Sequence, residues 1–226
     1  TLKPFDNGLT GDNVNLQVMG NITLSGAPGA EILGVNGKGR LNLIIGDGTT
    51  AGVSSIIAVS NDYVSTSGIW LNNLTVNAAD VTFPAFYVRI RGDLTVLANA
   101  ALQNSYLEFW SGANAVQTIT VPTSALFEFD FARFDNNAKV TTASDFELSN
   151  YFLVKSGSQF TATNGTVYLT TGGAGRPWNV ENGGTLKFWN VEFNSTGNAD
   201  FTPDGIAYIQ GNFYQYNTDA FAPTSG

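Results

Sequence analysis

The chain has no cysteine and no histidine. Without cysteine there can be no disulfide framework, thiolate nucleophile or Cys-based metal site. Without histidine the usual general base, the commonest metal ligand and the side chain that titrates near neutrality are gone. Charge is also scarce: Asp, Glu, Lys and Arg make up 12% of the 226 residues, about half the usual share of a soluble domain. What charge there is leans acidic, with a net charge of −8 and a pI near 4.3. Nucleic acid and anionic membranes are therefore poor partners. No apolar run approaches the ~20 residues of a membrane helix, so membrane insertion is not expected. No stretch repeats apolar residues at i, i+3, i+4 and i+7, so helices are not expected either. No signal peptide is visible, and the chain does not open on Met. Its last residues, Ala222-Pro223-Thr224-Ser225-Gly226, read as a cut or a linker and suggest a segment of a longer protein.

Apolar residues are plentiful, at 43%, with 16 Phe, 8 Tyr and 4 Trp. The chain can bury a continuous core, and disorder is excluded. With so little charge, the surface must be covered by Asn, Thr, Ser, Gly and Gln, a composition common among secreted β-proteins. The apolar residues alternate with polar ones, as in Leu94-Thr95-Val96, Thr118-Ile119-Thr120-Val121 and Phe213-Tyr214-Gln215-Tyr216. Turn signals punctuate the alternation at Asn7-Gly8, Asn36-Gly37, Asn164-Gly165, Asn182-Gly183-Gly184 and Asp204-Gly205.

An apolar–any–apolar triplet returns through the C-terminal two-thirds: Val88-Arg89-Ile90, Leu107-Glu108-Phe109, Phe127-Glu128-Phe129, Phe146-Glu147-Leu148, Val167-Tyr168-Leu169, Leu186-Lys187-Phe188 and Ile206-Ala207-Tyr208. The central residues 89, 108, 128, 147, 168, 187 and 207 are 19 to 21 apart. A second set follows about 12 residues behind, at Leu102, Ile119, Val140, Phe160, Val180, Phe201 and Phe221, and a third set is weak near Asn114 and Ala174. A fixed period of this size marks a solenoid. The expected fold is all-β: a parallel β-helix (β-solenoid) of about ten rungs, each of about 20 residues. The expected hand is right, which parallel crossovers favour. Residues 1–226 form one domain in this reading, less regular over 1–85 and regular over 86–221.

Gly92-Asp93-Leu94-Thr95-Val96-Leu97-Ala98-Asn99-Ala100-Ala101-Leu102 resembles a rung of large secreted bacterial β-helix proteins. Val116-Gln117-Thr118-Ile119-Thr120 and Leu71-Asn72-Asn73-Leu74-Thr75-Val76 resemble phrases of giant Bacteroidota-type surface adhesins. The resemblance spans roughly residues 68–220. It implies an extracellular, cell-surface role in adhesion or matrix building, and it carries over no catalytic residue.

If the residues flanking each triplet point inward, then Arg89, Glu108, Glu128, Glu147, Tyr168, Lys187 and Ala207 form one outward column. That column reads as a solvated acidic stripe, with a weak Ca²⁺ site or a catalytic carboxylate pair as alternatives. Arg133, with Asp130 and Asp135, is the only cluster of the kind a polysaccharide lyase uses; Asp200 and Asp204 flank a turn. Phe109, Phe127, Phe129, Phe146 and Phe188 read as a buried aromatic ladder. Trp70, Trp110, Trp178 and Trp189 recur near strand ends, and Trp110 and Trp189 are the candidates for an exposed, adhesive surface. The glycosylation sequons at Asn21, Asn73, Asn164 and Asn194 matter only in a eukaryotic secretory route. No catalytic, cofactor or metal residue is assigned and no cofactor is expected. The expected role is a non-catalytic structural or adhesive module that stacks on neighbouring repeats or copies of itself. Surface glycans are a possible ligand, and the alternative is a carbohydrate-active β-helix.

Overall fold

The computed structural model describes residues 13–19, 22–24, 31–33, 40–48, 53–58, 68–83, 88–110, 116–170, 178–194, 199–216 and 221–223. Every regular element among them is a strand, and the strands stack in parallel as a β-solenoid with three walls. The first wall is a nine-stranded sheet with one strand from each successive turn. In order these are β1 (Asn13–Val18), β4 (Arg40–Ile45), β7 (Asn73–Val76), β10 (Leu94–Val96), β12 (Val116–Thr120), β14 (Lys139–Thr142), β16 (Gln159–Ala162), β19 (Thr185–Phe188) and β22 (Ile206–Ile209). The second wall holds β2 (Ile22–Leu24), β5 (Val53–Ala58), β8 (Asp80–Thr82), β11 (Ala101–Trp110), β13 (Leu126–Asp135), β15 (Phe146–Val154), β17 (Thr166–Leu169), β20 (Asn190–Phe193) and β23 (Phe213–Gln215). The third wall holds β3 (Glu31–Leu33), β6 (Gly68–Leu71), β9 (Val88–Ile90), β18 (Trp178–Val180), β21 (Ala199–Pro203) and β24 (Phe221–Pro223). Strands β11, β13 and β15 are long enough to run through both the second and third walls, which joins these into one 15-stranded sheet.

Strand β13 explains how one strand serves two walls. Its burial alternates from Leu126 to Asp130, then two successive residues, Asp130 and Phe131, face out before alternation resumes. The pairing with β15 shifts register between Phe129 and Phe131. An extra outward residue of this kind is a β-bulge, which bends the strand without ending it.

The turns are less even than a 20-residue period implies. Down the first wall Leu43 pairs with Leu74, Leu74 with Leu94 and Leu94 with Ile119. Gln117 then pairs with Val140, Val140 with Phe160 and Phe160 with Leu186. Subtracting paired numbers gives steps of 31, 20, 25, 23, 20 and 26. The triplets therefore do not share one column. Val88-Arg89-Ile90 and Leu107-Glu108-Phe109 are partners in the third wall, but the next partner is Ala132-Arg133-Phe134. Triplets 127–129, 146–148 and 167–169 lie in the second wall, and 186–188 and 206–208 in the first. A count of 20 falls short of most turns, so it slips backward from wall to wall. The weak positions near Asn114 and Ala174 lie outside the described residues.

The expected aromatic core is present: Phe109, Phe127, Phe129, Phe146 and Phe188 are all buried. It is a cluster fed by three walls rather than a single ladder. Phe129 meets Phe109 edge-on at 6.3 Å and Phe146 at 5.5 Å. Phe160 of the first wall packs on Phe134 and Phe152 of the third at 4.9 and 5.3 Å.

Side-chain oxygens at the corners hold one turn to the next. The Asp93 N–H donates to Asn73 Oδ1 and the Thr118 N–H to Asp93 Oδ1, both at 2.7 Å. Thr166 N–H donates to Asp145 Oδ1 at 2.7 Å and Asn212 N–H to Asn190 Oδ1 at 2.9 Å. These bonds satisfy amide groups that the turn leaves outside the sheet ladder.

Candidate functional site

The third wall carries a row of paired charges on its outer face. Glu108 pairs in register with Arg89 on one side and Arg133 on the other. Arg89 Nε donates to Glu108 Oε2 at 2.6 Å, and Arg133 Nε lies 3.4 Å from Glu108 Oε1. Arg133 also forms an ion pair with Asp135. The row holds two cations and two anions, so its charges balance. Arg89 and Glu108 are 4% and 1% exposed, which overturns their reading as members of a solvated stripe. Buried charges persist only when paired. The sequence put Arg89 beside Glu108 correctly but placed Glu128 where Arg133 stands. Asp130 sits at the bend and is not part of the row.

What remains of the acidic stripe is on the second wall, where Glu128 pairs with Glu147, Glu147 with Tyr168 and Tyr168 with Glu192. Thr170 Oγ1 donates to Glu147 Oε1 at 2.6 Å. Lys187 lies in the first wall, with its Nζ 5.8 Å from the Tyr208 ring. Among the described residues no three His, Cys, Asp or Glu side chains gather as a metal-ligand set.

At the bend between the second and third walls, Tyr106, Phe131 and Tyr151 form an outward aromatic stack. Tyr106 lies 5.4 Å from Phe131 with rings 7° apart, and Phe131 lies 4.4 Å from Tyr151 at 20°. Phe131 is covered on both faces, and each tyrosine turns one face away from the stack. Burial raises the Tyr151 phenol above its ordinary 10.0, against the pull of Arg133 and Lys155. A raised folded value means the native state holds this proton more tightly than the unfolded chain does. The contribution to stability is then complete below pH 10 and disappears as pH rises through the folded value. Tyr151→Phe should therefore soften the alkaline fall of melting temperature relative to the native chain. Identical alkaline profiles would contradict the assignment.

From β12 to β19 the corner between the first and second walls shortens, before widening again to residues 210–212 after β22. It occupies residues 121–125 after β12, 143–145 after β14, 163–165 after β16 and residue 189 alone after β19. The longest corner overhangs the shorter ones that follow, and a groove of about 350 Å³ opens below it. Pro122, Ala125 and Ala143 supply apolar surface, while Thr123, Ser144, Asp145, Asn164 and Asn190 supply polar groups. Gly165 makes the close approach possible: its φ is +82°, and a Cβ there would lie 2.7 Å from the Ser144 carbonyl oxygen. Sequence reasoning named Asn164 as a turn residue and a sequon, not as part of a site, and did not single out Asp145 or Asn190. The available signal was an Asx residue at each of three successive corners.

The tryptophans divide. Trp189 is 39% exposed, as expected, and forms the corner residue beside Asn190. Trp110 is half-buried, and Trp178 is buried against Phe193. The side chains of Trp70 and Asp200, and all of Asn21, lie outside the described residues. Asp204, Asn164 and Asn194 are exposed, whereas Asn73 is half-buried and engaged at its corner. No helix among the described residues is long and apolar enough to cross a membrane. No family model, curated protein or solved structure matches the chain.

Proposed function

We propose that this chain is a non-catalytic, extracellular structural or adhesive module of a bacterial surface protein, a rigid rod that stacks on turns of the same design. The observation that carries the proposal is the last described turn. Ala207 and Ile209 pair with Leu186 and Phe188 and so occupy core positions. Ile209 is nevertheless 41% exposed where Phe188 is 7% exposed, and Phe213 follows the same trend. Strand β22 pairs only with β19 among the described strands. A strand edge over an uncovered apolar layer is a template for another turn. The low charge and the likeness of residues 92–102 to secreted bacterial rungs support the extracellular setting.

Sedimentation of the native chain over rising concentration should show association. The double variant Ile209→Lys, Phe213→Lys should stay monomeric with its β-sheet signal intact. A native chain that remains monomeric at millimolar concentration would sink the stacking proposal. Cleavage of a polysaccharide that disappears in Arg133→Ala would replace it with the enzymatic reading. Against that reading, Arg133 is already held by Glu108 and Asp135.

A further inference from the structure

We infer that the tapered corner groove beside Asp145 is a binding site for a neutral glycan chain. The inference rests on the adhesive reading above and gives it a ligand class. Three steps of about 4.8 Å between the successive turns that line it make the groove about 14 Å long, parallel to the stacking axis. Its volume of about 350 Å³ is at the small end of ligand sites, which suits a short run of sugar units.

The groups in it match hydroxyl-rich chemistry. Asp145 commits Oδ1 to the Thr166 amide, and Oδ2 has no partner among the described residues. Asn190 commits Oδ1 to the Asn212 amide, and its Nδ2 likewise has no partner there. The Asn164 carboxamide is exposed at the same corner and offers both a donor and an acceptor. A sugar hydroxyl donates and accepts at once, so a carboxylate oxygen next to amide donors can engage neighbouring hydroxyls. Pro122 gives the C–H face of a sugar ring apolar surface, and exposed Trp189 offers a ring at the end of the corner series. Among the described residues no cationic side chain lines the groove. Asp145 and the net charge of −8 therefore disfavour uronate or sulfated chains.

The backbone anchors make clean variants possible. Asp145→Asn and Asn190→Asp each retain an oxygen to accept the corner amide while reversing the chemistry of the atom facing the groove. The full chain is titrated by calorimetry with cellohexaose, mannohexaose and chitohexaose, and with hexagalacturonate as the acidic control. At least one neutral oligosaccharide should bind saturably in EDTA. Both variants should weaken it about tenfold or more, as loss of a hydrogen-bonded hydroxyl does, with melting temperatures unchanged. Trp189→Ala should weaken it as well. Absence of saturable binding by all three neutral probes, equal affinity in both variants, preference for the acidic oligomer, or binding that requires Ca²⁺ would each overturn the inference. The outcome is separate from the sedimentation test: lost glycan binding with stacking intact strikes the groove alone, and a monomeric chain strikes the rod alone.

Discussion

Phe129→Ala should destabilise the solenoid by about 3–5 kcal/mol, the range for emptying a large aromatic site in a packed core. Phe129 is fully buried, and its ring meets Phe109, Phe127, Phe134, Phe146 and Phe152. Those neighbours come from different walls and successive turns, so collapse onto the vacancy would require several strands to move together. The expected loss is therefore toward the upper part of the range. Glu128→Gln, one residue away and facing out beside Glu147, should be neutral or slightly stabilising because it removes a like-charge neighbour. Urea denaturation of the two variants gives the comparison. A larger loss for Glu128→Gln than for Phe129→Ala would refute the inward–outward assignment of β13.

Glu108→Gln should cost about 3 kcal/mol or more, an effect unusual for a charge on the outer face of a sheet. Glu108 is the shared anion between Arg89 and Arg133. Its removal leaves the Arg89 guanidinium, 4% exposed, without the carboxylate that compensates its lost hydration. Arg133 keeps Asp135 and is partly solvated, so it suffers less. Replacing both members of the buried pair, Arg89→Met with Glu108→Leu, should recover most of the loss, because a well-packed apolar pair has no charge to desolvate. A single variant within about 0.5 kcal/mol of native, as ordinary surface substitutions are, would place Glu108 in water and return it to the solvated-stripe reading.

The rod and the groove use different parts of each turn. The stacking proposal depends on inward side chains and strand edges, whereas the glycan site depends on corner lengths. A corner can lengthen or shorten without disturbing the walls, because its residues lie outside the sheet ladder and loop length is weakly penalised. Residues 121–125 and residue 189 occupy equivalent corners in turns whose first-wall strands remain in one continuous sheet.

Sequence alone determined the class of fold and the side of the sheet on which most residues lie. Alternation has a period of two and is local, so Phe127 and Phe129 read as inward and Glu128 as outward with no knowledge of partners. The recurrence of short alternating runs was enough for a parallel solenoid, and Arg89 was placed beside Glu108. The tertiary structure decided which turn meets which residue. An apolar–any–apolar triplet fits any of the three walls equally well, so its spacing carries no label for the wall it occupies. Register depends on how many residues each corner and bend consumes, and that number varies from turn to turn. Leu107-Glu108-Phe109 accordingly meets Ala132-Arg133-Phe134 rather than Phe127-Glu128-Phe129. The pairing of Glu108 with a second arginine follows from that one match. Asp145, Asn164 and Asn190 are far apart in sequence and each looks like an ordinary turn residue. They line one groove because parallel stacking sets corners above one another, and because the corners shorten from residues 121–125 to residue 189.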